Sequence, residues 1–322
     1  MTSTEPRTGL TATDAGSGAA AETGSAPAVD LRGKSLWGSA WGELRRNPLF
    51  WISAALILLF VVMALVPQLF TSTDPTVADL NRAREKPSAD GGWFGYDSQG
   101  YDVYSRTIYG ARASILVGLL ATVVTTVFGG AVGLIAGYRG GWVDAVAARV
   151  GEIFFALPLL LGGILFLFTF PNDLNTPLSV QVLKIVAFIA LLGWPNIARL
   201  MRSSVLQVKP NDYVQAARAL GANNTRIVFR HILPNALAPV IVVSTINLGA
   251  YIAAEATLSF LGIGLQPPAV SWGIAISNAS AIGLIRVAPH MLLFPSIFLS
   301  LTVLAFIMLG DAVRDALDPK LR

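Results

Sequence analysis

Six runs of apolar residues, each about as long as a bilayer is thick, leave this chain few folds to choose from. They cover residues 49–70, 113–138, 146–170, 180–197, 236–261 and 289–309. At about 1.5 Å of rise per residue, some 20 helical residues cross a hydrocarbon core of about 30 Å. Hydrocarbon offers no hydrogen bonds, so a spanning backbone must satisfy its own, and runs of this length do so as helices. A composition 54% hydrophobic and 13% charged, with a mean hydropathy of +0.62, fits an integral membrane protein and not a soluble domain. The first run is too long for a signal-peptide core and lacks a small-residue cleavage site ahead of it, so it is expected to stay in the chain. The expected fold class is an all-α membrane protein.

The rest of the sequence excludes several chemistries. There is no cysteine, hence no disulfide, thiolate metal site or thiol nucleophile. The two histidines, His231 and His290, lie far apart and match no metal-ligand spacing. No acid, base and nucleophile converge, so no catalytic residue is expected, and the chain does not read as an enzyme. Residues 1–35 are rich in Ala, Gly, Ser and Thr and are expected to form a disordered tail. Gly33-Lys34-Ser35 ends like a phosphate-binding loop, but Ala28 stands where its first glycine belongs and no strand precedes it, so no nucleotide site is assigned. Residues 37–46 read as a short amphipathic helix at the bilayer surface, with Trp37, Trp41 and Leu44 on one side and Arg45-Arg46 at the cytoplasmic edge. With that edge inside, 15 Lys and Arg residues fall on the cytoplasmic side and seven on the other. The excess predicts cytoplasmic termini and a multi-pass protein of the cell membrane.

Polar residues within the apolar runs are the first functional candidates. Charge inside a span costs on the order of 3 kcal/mol on insertion scales, so such groups should face protein or a wet cavity. Glu152, Lys184 and Glu255 qualify, and a self-powered, proton-coupled secondary transporter using them as relay groups is the alternative reading. A local pairing of Glu152 with Arg149, and outward snorkelling of Lys184, compete with it. Gly129, Gly133 and Gly137, at four-residue spacing in the second run, predict close helix packing against a neighbour in this chain or in a partner.

One polar stretch, 209–235, interrupts the apolar succession between the fourth and fifth runs. Pro210 and Asn211 open a short helix in which Tyr213, Ala216, Ala217 and Leu220 form one stripe. Gly221 stops it, since glycine takes the left-handed conformation without a side-chain penalty. Asn223 or Asn224 caps a second short helix carrying Ile227, Val228 and Ile232, and Pro234 marks the turn into the next run. Two stubby helices around a glycine elbow fit a DNA-reading helix-turn-helix or an amphipathic pair on lipid. Tethering between two spans removes the first, and no nucleic acid partner is expected.

The spacing Gln215-Ala216-Ala217, Gly221, Leu233-Pro234 resembles the EAA loop of permease subunits of binding-protein-dependent ABC importers. Gln215 replaces the Glu of that name, and His231 stands where an aliphatic residue is usual. Three further stretches resemble the C-type permeases of the dipeptide, oligopeptide and nickel class. They are Gly95 to Arg106 (with Tyr96 and Tyr101 for the usual Thr and Arg), Gly137 to Asp144, and Glu255-Ala-Thr-Leu-Ser-Phe-Leu-Gly262 continuing through Pro267-Pro268 to Trp272-Gly273. The ending Gly310 to Pro319 is similar as well, so the resemblance runs from about Arg45 to Pro319.

The resemblance implies six transmembrane helices in the type I ABC importer (MetI-like) permease fold, with a cytoplasmic coupling-helix loop over 210–234. It implies a tail at 1–35, an interfacial helix, first span and extracytoplasmic loop over 36–111, a permease domain over 112–312, and a cytoplasmic tail over 313–322. The implied partners are a homologous permease subunit, cytoplasmic ATP-binding subunits that bind the ATP, an extracytoplasmic substrate-binding protein, and membrane lipid. No cofactor or metal is implied for this chain. Asp212, Tyr213, Gln215, Ala216, Ala217, Gly221, Arg230 and Pro234 become the ATPase-coupling residues. Glu255, Ser259, Gly262, Pro267, Pro268 and Trp272 become the gate signature. The cargo implied is a di- or oligopeptide or a related compound.

Overall fold

The computed structural model describes residues 36–317 except 90, 91 and 174. The expected tail at 1–35, the side chain of Trp37 and the Asp318-Pro319 end of the last motif lie outside the described residues. Everything else is helix and turn, with three isolated β-bridges in the loop before α3.

Asn47 starts the first crossing by accepting a hydrogen bond from the Leu49 amide at 2.9 Å, and Pro48 takes the first helical position, where no amide is needed. Short α1 (Leu36–Leu44) precedes it, and α2 (Pro48–Leu65) ends before Pro67. The crossing is therefore shorter than the apolar run to 70, because proline cannot donate to the helix ladder. A looped segment leads to Asp102, whose side chain accepts from the Tyr104 amide and starts α3 (Val103–Arg139). At 37 residues α3 far exceeds a bilayer. Tyr104 and Ile108 lie in its first turns, and Arg106 and Arg112 precede the apolar run within the same helix. The division expected between 111 and 112 falls inside α3, and that at 312/313 inside α12 (His290–Leu317).

Gly140 and Gly141, with φ of 68° and 59°, make the whole turn into α4 (Gly141–Phe155). Asp144 and Arg149 are therefore helical. The third apolar run is not one helix. After α4 the chain bends by 87° at residues 156–158 and continues as α5 (Leu159–Thr169). Pro158 cannot hydrogen-bond backward and restrains the residue before it, which places the break there. Next, α6 (Leu178–Val208) passes through Pro195 and runs 11 residues beyond the run at 180–197.

The polar stretch holds α7 (Asp212–Ala219) and a left-handed Gly221 at φ 80°. Beyond it α8 (Asn224–Arg226), a π-helical turn (Ile227–Ile232) and α9 (Leu233–Phe260) form one continuous helical run. This corrects the expectation of a second separate short helix. Pro234 lies inside this continuous run, directly after the π-turn, and no chain reversal occurs there. α10 (Trp272–Ala279) and α11 (Ile282–Val287) lead to α12. Five helices are long and apolar enough to cross a membrane, and the bent α4–α5 pair supplies a sixth crossing.

α3 is the centre of the bundle, packed on α6, α9, α2 and α10. A Cβ on Gly129 would lie 2.5 Å from the Trp194 carbonyl oxygen, and one on Gly137 2.9 Å from Val205 Cβ; on Gly133 it would overlap the Ala198 carbonyl. The neighbour these glycines admit is α6 of the same chain, and bare backbone is what lets the two axes approach. The faces of α4 and α5 remain largely uncovered, with Ile153, Leu161, Leu165 and Phe168 each more than 60% exposed.

Candidate functional site: a coupling loop, a closed far end and a charged cavity

At one end of α9 the loop is bolted to the bundle by a few contacts. Val214 is fully buried among Ile227, Ile232 and Val205, residues of the π-turn and α6. Lys209 Nζ donates to the Tyr138 carbonyl at 2.7 Å, and the Tyr138 hydroxyl donates to Asn224 Oδ1 at 2.8 Å, tying the ends of α3 and α6 to the loop. Asn223 accepts from the Arg226 amide at 2.8 Å and so caps the helical run that follows. Gln215 bonds within the loop, donating to the Lys209 carbonyl at 3.2 Å.

The expected apolar stripe of α7 is not its packing face. Val214 is the anchor, while Tyr213, Ala216 and Leu220 point away from the bundle and Ala217 is half-buried; Leu220 is 88% exposed. Asp212 in the first turn complements the helix dipole. Asp212, Gln215, Gly221, Arg230 and Pro234 are all exposed, as is Phe229, which sequence reasoning did not single out. A Cβ on Gly221 would meet nothing within 4 Å, so the glycine answers to its backbone conformation and not to crowding.

At the other end the chain closes on itself. Glu255 is fully buried, with Ser259 Oγ donating to its Oε1 at 2.7 Å, and the Leu265 amide donates to Ser259 Oγ at 3.0 Å. That second bond folds the segment after α9 back over the helix end. Gly262 makes the turn with φ 76°, and the exposed Pro267-Pro268 pair, joined by a cis peptide bond, carries the chain to Ser271, the N-cap of α10. Trp272, fully buried, donates from Nε1 to the Thr107 carbonyl at 2.8 Å and so pins α10 to α3. Close approach again needs glycine, since a Cβ on Gly273 would lie 2.6 Å from the Ala256 carbonyl oxygen.

The relay groups of the secondary-transporter alternative are not brought together. Glu152 is paired with Arg149 at 2.8 Å and is mostly exposed. Lys184 donates to the Pro171 carbonyl at 2.7 Å and to Asn172 Oδ1 at 3.0 Å. Glu255 is enclosed by serine hydroxyls. Among the described residues no hydrogen bond or ion pair joins any two of the three.

A third feature was missed. Between α3, α4 and α6 lies a cavity of ≈ 340 Å³, lined in part by Asp144, Glu152, Phe155, Trp194, Arg199 and Arg202. Arg202 forks onto Asp144, with Nε on Oδ1 and Nη2 on Oδ2 at 2.6 Å. The partners are 58 residues apart, and Arg199 and Arg202 had registered only as positive charge near a membrane edge. The available signal was their three-residue spacing, which puts them on one face of α6.

Comparison with known proteins agrees with this architecture. The family of binding-protein-dependent transport system inner membrane components matches residues 129–322, and the N-terminal TM domain of oligopeptide transport permease C matches residues 35–87. The oligopeptide transport system permease protein OppC of Bacillus subtilis (strain 168) is 38% identical over 304 residues, covering 94% of this chain and 96% of that one. The dipeptide transport system permease protein DppC of Alkalihalophilus pseudofirmus is 38% identical over 288 residues, covering 89% and 91%. The glutathione transport system permease protein GsiD of Pectobacterium atrosepticum is 36% identical over 296 residues, covering 91% and 95%. A bundle of five long helices and one broken crossing, with the match extending over nearly the whole chain, makes this protein a member of the binding-protein-dependent transport system inner membrane component family, a multi-span permease subunit of an ABC importer and not itself an enzyme.

Proposed function

We propose that this chain forms the translocation path of an ATP-driven importer of di- or oligopeptides together with a homologous permease, and that α7 with the turn after it grips a cytoplasmic ATP-binding subunit. The observation that carries the coupling assignment is the inverted face of α7. Its one buried side chain holds it to the bundle, while Tyr213, Ala216 and Leu220 are presented outward beyond the spans. An apolar patch of this kind, fixed on a rigid mount, is what a partner surface requires. Because α8, the π-turn and α9 are one run, a push on the loop moves a whole spanning helix as a rigid body. Asp212, Gln215, Ala217, Gly221, Arg230 and Pro234 border that face or set its angle.

The peptide cargo rests on the relatives named for oligopeptide and dipeptide transport, which cover most of this chain. The placing of the loop and both termini in the cytoplasm rests on the basic residues clustered at that end. A substrate-binding protein docked on the opposite side delivers the cargo, and Glu255 to Trp272 close the path on that side.

The test is made on the reconstituted importer. Ala216→Trp should abolish copurification of the ATP-binding subunit and ATP-driven dipeptide uptake while the subunit still inserts. An intact complex with normal uptake would refute the assignment of α7. Uptake driven by a proton gradient without any ATP-binding subunit would refute the ATP-driven reading altogether.

A further inference from the structure

The cavity between α3, α4 and α6 belongs neither to the coupling loop nor to the closed far end, yet it holds four charged side chains on membrane-crossing helices. Glu152 lies within an apolar run, where charge is costly and is kept where it meets protein or a polar passenger; Asp144, Arg199 and Arg202 lie just beyond the ends of the runs at 146–170 and 180–197. Two of the four cancel: Asp144 and Arg202 form a bidentate pair between α4 and α6. The other two are differently placed. Glu152 shares one oxygen with Arg149 but is 56% exposed. The Arg199 guanidinium lies over the Phe155 ring at 4.3 Å and has no carboxylate within ion-pair reach among the described residues.

Phe155 follows Glu152 by three residues on α4, so the two share a helix face and Arg199 is held beside the stretch that carries Glu152. Arg199 and Glu152 form no ion pair with each other, yet both line the same cavity. The volume of ≈ 340 Å³ falls in the range of small-ligand pockets, about 300–1,000 Å³. The outer face of α4 is uncovered, with Ile153 65% exposed.

Building on the peptide reading above, we propose that this cavity is a station for the passing peptide, in which Arg199 receives its terminal carboxylate and Glu152 its terminal ammonium. A zwitterion satisfies both groups at once, which neither a free cation nor a free anion does. Binding there is weak by construction, since Glu152 is already shared with Arg149 and both side chains are exposed. A site on a path must release what it holds.

The chain contains no cysteine, so Ala148→Cys places a single thiol of this chain in the cavity lining. In the complete importer in membrane vesicles, labelling of this chain is followed with an anionic and a cationic thiosulfonate, alongside dipeptide uptake. The expected result is about a tenfold preference for the anionic reagent, lost in Arg199→Gln and kept in Arg199→Lys. Labelling by a neutral reagent should slow several-fold when a transported dipeptide is turned over with ATP, and Arg199→Gln should abolish that protection. Uptake that proceeds with labelling indifferent to peptide overturns the station and leaves the importer reading standing. Absence of any ATP-driven peptide uptake by the unsubstituted complex overturns the cargo reading, and the station with it. Protection by anionic phospholipid instead of peptide assigns the cavity to a lipid headgroup. Labelling blocked by assembly with the second permease alone assigns it to that partner. Either outcome overturns the proposal. If Ala148→Cys does not assemble, Ala147→Cys, on the same lining, takes its place.

Discussion

Where α9 begins, Leu220 of the neighbouring α7 is 88% exposed; where α9 ends, Trp272 of α10 is fully buried. The first region keeps one fully buried anchor on α7, Val214, and leaves Tyr213, Ala216 and Leu220 exposed. The second ties its polar groups to one another, Ser259 to Glu255 Oε1, Leu265 to Ser259 and Trp272 to Thr107. The two lie at opposite ends of a helix of 28 residues, about 42 Å at 1.5 Å per residue. The contrast teaches that apolar side chains are left uncovered at one end of α9 and enclosed at the other, which is the difference on which the proposed coupling face rests.

Four substitutions break or sharpen that contrast, taken from the largest expected loss of stability to the smallest. Trp272→Ala removes a fully buried indole and leaves the Thr107 carbonyl without its donor. It should lower the stability of the purified subunit by about 3–5 kcal/mol, read as a large fall in Tm, whether or not an ATP-binding subunit is present. A stability loss that the partner reverses would contradict the enclosure of the far end within the subunit. Val214→Ala deletes the single anchor of α7 and should cost about 2 kcal/mol locally. Amide exchange of α7 would rise while that of α3 stays unchanged, and equal protection of α7 in both proteins would show that the anchor lies elsewhere.

Gly221→Ala meets no side-chain crowding, so its cost is the left-handed backbone alone, about 1 kcal/mol. Stimulated ATPase activity should drop with little change in Tm. If ATPase activity and uptake both survive, the elbow angle does not matter to coupling. Leu220→Ser alters a side chain that touches little in the subunit, and stability should move by no more than about 0.5 kcal/mol. Affinity for the ATP-binding subunit should nevertheless fall in a pull-down titration, and unchanged affinity would remove Leu220 from the docking face.

Much of the architecture follows from local pattern. The apolar runs located all six crossings, the glycine elbow at 221 was readable from residue type, and Pro158 lies at the break that bends α4 from α5. What local pattern misread has a common cause. Apolar runs report where lipid is, but helices end where hydrogen bonding ends. That is why α3 and α6 outrun their hydrophobic segments and why 224–260 is one helical run and not two. The α7 stripe was assigned the wrong role because periodicity identifies a face without saying what covers it. Val214 was passed over because its partners Ile227 and Val205 lie on either side of it in separate elements.

The sequence by itself determined that this chain crosses a membrane repeatedly, carries no thiol chemistry, and interrupts its crossings with one polar elbow. Those properties depend on transfer free energies and backbone preferences of neighbouring residues. Only the tertiary structure decided that Gly129, Gly133 and Gly137 admit α6, that Asp144 meets Arg202, and that Arg199 lies over Phe155 at the cavity wall. Such pairings join residues far apart in the chain, 68 positions from Gly137 to Val205, and long-range contacts depend on how rigid helices dock rather than on any local pattern.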